Sequence, residues 1–332
     1  MVLPNYGFNR RRQADASAIQ SAHTGFVPRV GGLAIYCCII AMLPISYFYN
    51  FDLGYLIWLI ISTLPIFIIG LAEDLGYQMS PKIRVIAAIF SGLIVLVSYG
   101  FWLTRLEIPG LDFFMSYAPF GIAMTLFATT GVVNAFNLID GINGLSSYIA
   151  ISTALFLSIL AVQVEYYQLA YFYVLFIGCV LGFAILNFPF GKIFLGDAGA
   201  YTLGHLLVWS AIILFNYNQD ISPFAILLIF FWPVADTGLA IWRRWRLGNP
   251  ADKPDRLHFH QLTMRFLEIR FFGRDKRGIV NPLSTVMLIP MISVPQVLGV
   301  LFWDDFQETV LCTVGVALLF VATYLLGINL AK

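Results

Sequence analysis

Apolar residues in this chain run in long unbroken stretches, each closed by a short polar cluster. Ten stretches can be marked, at 30–49, 55–72, 83–102, 119–134, 147–164, 169–187, 200–216, 221–242, 283–303 and 309–328. Most approach the roughly 20 residues that a helix needs to cross hydrocarbon. They lack the alternation and shortness of outer-membrane barrel strands, so the pattern predicts an all-α, polytopic membrane helical bundle of about ten transmembrane helices. One integral-membrane domain is expected over 1–332, with a long polar loop at 243–281.

Composition agrees, because a 332-residue chain that is 60% hydrophobic and only 11% charged cannot present an ordinary wet surface. Residues 1–23 are polar and carry Arg10, Arg11 and Arg12, so no cleavable leader is visible there. Basic residues set the orientation, since Lys and Arg are retained on the cytoplasmic side. With the first loop inside, Arg105 is the sole basic residue of the 19 placed outside. The outer loops carry Asp52, Glu107, Asp112, Glu165, Asp220, Asp304, Asp305 and Glu308 instead. A net charge of +1 argues against nucleic acid as a partner, while the basic inner face suits anionic lipid or phosphate. Cys37, Cys38, Cys179 and Cys312 lie in apolar runs without metal-ligand spacing and read as packing residues.

The polar clusters then all fall on the inner face. AEDLGYQMSPKIR at 72–84 holds the adjacent acids Glu73 and Asp74, with Lys82 and Arg84 following. Acids beside cations suit a site where Mg²⁺ holds phosphates and the remaining charge is offset; a solvated acidic turn is the plain alternative. NAFNLIDGINGLS at 134–146 spaces Asn137, Asp140 and Asn143 three apart, which places them on one face if the helix continues. Helix capping would account for one of the three, not all.

FLGDAGAYTLG at 194–204 sets Asp197 just before a new apolar helix, as cap or as ligand, where free N–H groups could face an anion. Phe194 could offer its ring to a base or simply pack. Asn187 closes the preceding span. DRLHFHQL at 255–262 holds Arg256, His258 and His260. No Cys or third His accompanies them, so phosphate contact is favoured over zinc. Asp236 lies inside the eighth stretch, costly unless partnered, and is expected to face the same site or to serve a structural pair.

Five segments in this order, HTGFVPRVGG at 23–32 and the four motifs above, resemble the polyprenyl-phosphate N-acetylhexosamine-1-phosphate transferase family. The resemblance covers most of the chain. It implies transfer of a sugar 1-phosphate from a UDP-N-acetylhexosamine, UDP-N-acetylglucosamine or a related amino sugar, to undecaprenyl phosphate. UMP is released, and the product would begin a surface polysaccharide such as O-antigen. It further implies Mg²⁺, with Mn²⁺ as a substitute, held by Asp197, and Glu73, Asp74 and Asp140 as the catalytic acids. Lys82, Asn137, Asn143, Asn187, Phe194, Asp236, Arg256, His258 and His260 become the substrate-binding set. The bacterial inner membrane is the implied location, and a homodimer is left open.

Glu73 and Asn143 stand where the family usually has Asp, and Gln261 where a further His is common. The phospho-N-acetylmuramoyl-pentapeptide transferase branch, which typically carries three consecutive His, is the alternative enzyme. A secondary transporter is the alternative of another class, and would gather its polar groups near the bilayer midplane.

Overall fold

The computed structural model describes residues 27–48, 53–248 and 257–330, and among these every regular element is helical. In chain order they are α1 (Gly31–Phe48), α2 (Leu53–Ser62), α3 (Leu64–Asp74), α4 (Pro81–Tyr99), α5 (Leu111–Met115), α6 (Ala118–Leu138) and α7 (Leu145–Gln163). There follow α8 (Tyr167–Asn187), α9 (Gly196–Tyr217), α10 (Pro223–Ile229), α11 (Phe231–Leu247), α12 (Phe259–Leu267), α13 (Arg277–Leu301) and α14 (Phe306–Leu330).

Eight of the described helices are long and apolar enough to span a membrane by themselves. The other two expected spans are broken. The second is two helices parted at Thr63, and the eighth is the pair α10 and α11, bent by 82°. Helix α6 runs 21 residues and so extends past the fourth stretch marked at 119–134. The expected loop at 243–281 is mostly helical: α11 continues to Leu247, and α12 leads through a π-turn at Glu268–Phe272 into α13.

Helix α9 is the axis of the bundle, buried along its length, with α1, α3, α6 and α7 packed around it. Small residues permit that closeness. A Cβ on Gly32 of α1 would come within 2.2 Å of the Gly199 nitrogen, and one on Gly70 of α3 within 2.6 Å of Ala198. Helices in lipid gain their attraction from such close backbone contact, because apolar side chains meet lipid as readily as one another. The first turn of α9 is thereby held against α1 and α3 where the motifs lie. Helix α14, by contrast, is mostly exposed, as expected of an outer helix whose apolar surface faces lipid.

The chain crosses the bundle so that 27–31, 74–81, 138–145 and 187–196 come to one end. Arg105 lies at the other, where it donates to the Ile221 carbonyl at 2.8 Å and stacks 4.6 Å over the Phe215 ring.

Candidate active site

The first turn of α9 organises the site. Its leading N–H groups have no partner within the helix, and Asp74, arriving from the end of α3, accepts from the N–H of Asp197 and of Ala198, both at 3.0 Å. Asp74 is therefore the cap of α9, and Asp197 stands within the first turn, which corrects the expectation that Asp197 caps the helix and that its N–H groups await an anion. A carboxylate at a helix N-terminus is favoured by the peptide dipoles as well as by the two bonds.

Asp197 reaches a cation. Its Oδ2 lies 4.0 Å from Arg84 on the first turns of α4, and the same guanidinium is 3.5 Å from the hydroxyl of Tyr201, one helical turn beyond Asp197. Glu73 accepts from the Met79 N–H at 3.2 Å and acts electrostatically on Arg84, so it also braces the loop that leads to α4. Lys82 is exposed on the same first turn as Arg84.

Asp140 completes the acidic group. Helix α6 ends at Leu138, and the turn that follows abandons the helical path, so Asn137, Asp140 and Asn143 do not share a face. Asn137 is half-buried on the last turn of α6. Asp140 accepts from the Ser146 hydroxyl at 2.6 Å. Burial lifts its pKa to about 6; the Ser146 bond opposes the rise, the charge of Asp197 adds to it, and Arg29 and the Gly196 N–H draw it down. Asp74, Asp140 and Asp197 thus surround one helix start, with Arg29 and Arg84 as counter-charges.

Asn143 is buried and bonded on three sides. Its N–H donates to Asn281 Oδ1 at 2.7 Å, its amide to the Pro189 carbonyl at 2.9 Å, and its carbonyl accepts from Thr285 at 2.7 Å. Asn187 likewise accepts from the Gly144 N–H at 2.7 Å and donates to the Ile193 carbonyl at 2.8 Å. Both are buried braces that lock the 140–144 turn to the 188–195 loop. Phe194 is half-buried; its backbone N–H donates to the Pro28 carbonyl and its own carbonyl accepts from Gly31, which draws the first motif alongside the fourth.

The histidine motif is held by α11. Asp236 on α11 is 2% exposed; its Oδ2 lies 2.8 Å from His258 Nδ1, and its Oδ1 accepts from the Phe259 N–H at 2.9 Å. One carboxylate thereby orients the imidazole and caps α12. His260 is buried, its ring stacked 5.7 Å from that of His258. Burial drives its pKa down to about 4, against the pull of Asp236 and with the aid of His258, so it is a neutral imidazole at neutral pH, not a cation. A Cβ on Gly141 would come within 2.3 Å of His260 Nε2, which shows how closely the ring lies on the Asp140 turn. Arg256 and residues 23–26 lie outside the described residues.

Residue-by-residue reading missed Arg29, Ser146, Asn281 and the pairing of Arg84 with Asp197. Arg29 and Ser146 sit inside quoted motifs, so their positions were visible; Asn281 and Thr285 open a span with no signal beyond being polar.

Among the described residues, no three His, Cys, Asp or Glu side chains are arranged to hold a metal ion by themselves. The donor set still fits Mg²⁺, which binds one or two carboxylates and takes its other oxygens from water and substrate phosphates. Asp197 repels both Asp74 and Asp140, a charge excess that such a cation would relieve.

Fold and site together define a polytopic membrane protein with a cluster of acids and arginines at one end of its bundle. Residues 55–215 match the model of the glycosyl transferase family 4. The chain is 30% identical over 259 residues to undecaprenyl-phosphate alpha-N-acetylglucosaminyl 1-phosphate transferase of Escherichia coli (strain K12), covering 76% of this chain and 69% of that one. It is 29% identical to the Yersinia pestis protein of the same name, with the same coverage. It is also 29% identical to a probable undecaprenyl-phosphate N-acetylglucosaminyl 1-phosphate transferase of Bacillus subtilis (strain 168), over 76% of this chain and 70% of that one. The chain belongs to glycosyl transferase family 4.

Proposed function

We propose that the protein transfers N-acetylglucosamine 1-phosphate, or a closely related amino-sugar phosphate, from the UDP-sugar to undecaprenyl phosphate at the cytoplasmic face of a bacterial inner membrane, releasing UMP. The gathering of Asp74, Asp140 and Asp197 with Arg29 and Arg84 at one bundle end carries the reading, and the names of the relatives support the substrates.

An oxygen of the lipid phosphate attacks the sugar-bearing phosphorus of the donor, and the bond to the UMP oxygen breaks. Such a transfer needs positioning and charge neutralisation more than it needs covalent assistance. Asp197, with Asp140 beside it, would hold a Mg²⁺ ion. When bound, that ion supplies neutralisation of the pyrophosphate and of the departing UMP.

Arg84, released from Asp197 as the site fills, and Arg29 offset the negative charge that remains. Asp236 accepts from His258 Nδ1 and fixes the ring, leaving Nε2 as the atom for the donor phosphates, a contact that requires a proton on Nε2 as well because phosphate oxygens only accept. Glu73, partly exposed and bonded to the Met79 N–H of the 75–80 loop, is the acid assigned in this reading to the lipid phosphate. Asp74, with both oxygens committed to α9, serves to hold Asp197 in place.

Purified protein with polyprenyl phosphate, Mg²⁺ and a panel of UDP-sugars, scored for UMP, tests the reading. Lipid-dependent UMP release with UDP-N-acetylglucosamine is expected; failure with every UDP-sugar would refute it. The transporter alternative gains nothing from the structure, since the acidic group lies at one end of the bundle.

A further inference from the structure

Helix α10 ends at Ile229 because four residues later comes Pro233, which has no N–H and whose ring collides with the carbonyl of the residue four before it. The chain turns by 82° between α10 and α11. The Ile229 carbonyl is left without its helical donor inside an apolar bundle, where no bulk water can replace it. Gln296 of α13 supplies the replacement: Nε2 donates to the Ile229 oxygen at 3.2 Å and to Thr153 Oγ1 of α7 at 3.1 Å. The side chain is 2% exposed, and the amide orientation follows from its neighbour, since a carbonyl can only accept. One amide thus joins α7, α13 and the broken joint. Seven residues past Ile229 on the outgoing arm stands Asp236, which holds both His258 and the start of α12.

We propose that Gln296 is a positioning residue for the transfer: it fixes the α10–α11 joint and thereby the aim of Asp236 and His258. The link to catalysis rests on the transferase reading, but the link to Asp236 does not. A buried amide within the apolar run LIPMISVPQVLGV has no packing purpose that Leu or Met would not serve.

Gln296→Leu, which keeps the approximate volume and removes both donors, is the test, using the full-length protein in detergent and in lipid nanodiscs. Hydrogen exchange is read at peptides covering 225–236 and 257–263. The Phe259 amide, which donates to Asp236, should exchange roughly tenfold faster, the scale of one lost hydrogen bond. In the UMP assay, kcat/KM for the UDP-sugar should fall by roughly the same factor while KM for polyprenyl phosphate holds. Added to His258→Asn, the substitution should cost little more, because the group it aims is already gone.

Faster exchange at 225–236 with unchanged exchange at 257–263, or an undiminished loss in the His258→Asn background, would overturn the proposal. If Gln296→Leu is not recovered folded, Thr153→Val removes one of the two anchors of the amide and is read in the same way. Pro233→Ala restores an N–H for the Ile229 carbonyl, so in that background Gln296→Leu should leave thermal stability nearly unchanged; an equal drop in both backgrounds counts against the joint. Absence of UMP release by wild type would refute the transferase reading, while the exchange data would still decide the role of Gln296.

Discussion

Gly141→Ala isolates the contact between the central aspartate turn and the histidine motif. The added methyl would stand 2.3 Å from His260 Nε2 and 3.0 Å from Cδ2, against an ordinary contact of 3.4 Å or more. The ring or the turn must therefore retreat by about 1 Å, a displacement that can cost on the order of 10²-fold in a positioned reaction. There is little room for it. His260 is 1% exposed and stacked on His258, so overpacking should also lower stability by about 1–3 kcal/mol. Gly141 has no positive φ, so the alanine itself introduces no backbone strain.

Steady-state UMP release against UDP-sugar concentration should show kcat/KM down by roughly 100-fold, with the protein still folded by thermal melt. The control is the double variant: in a His260→Ala background the methyl has nothing to strike, so Gly141→Ala should add almost nothing. Wild-type kcat/KM for Gly141→Ala, or full additivity with His260→Ala, would refute the reasoning.

Other outcomes follow from the same geometry. Asp197→Asn should nearly abolish turnover while the protein stays folded, and should move the Mg²⁺ requirement upward; unchanged activity at limiting Mg²⁺ would remove Asp197 from the metal. Asp140, raised in the folded state, binds its proton more readily folded than unfolded. Its contribution to stability is complete below the unfolded carboxylate range and is lost as pH rises through about 6. Melting curves without Mg²⁺ should accordingly show wild type losing ground to Asp140→Asn between about pH 4 and 7; a pH-independent difference would contradict the burial argument. In a cysteine-free background, an impermeant thiol reagent added outside intact cells should label Ser116→Cys and spare Gln78→Cys, and the reverse pattern would invert the topology.

Much of the site was legible because the chemistry is carried by short polar clusters in an apolar chain, where each acid or amide stands out against its surroundings. Asp74, Asp140, Asp197 and His258 were all visible in this way, as was their common face, since span number and basic loops constrain sidedness. The division of labour among them was not visible. Asp74 reads as a catalytic acid, with no hint that α9 begins on it; Asn143 and Asn187 read as ligands, with no hint that their amides also bond loop carbonyls.

The linear pattern of apolar runs and polar caps determined by itself that the chain is a helical membrane bundle with its polar chemistry near the helix ends, because lipid forces backbone groups to pair within each span. The broken joint was decided in part by the sequence too, through Pro233. Tertiary structure alone decided the direction in which each carboxylate is spent. A hydrogen bond depends on which donor comes within about 3 Å, and that is set by packing between residues as distant in sequence as Asp74 and Asp197, or Ile229 and Gln296.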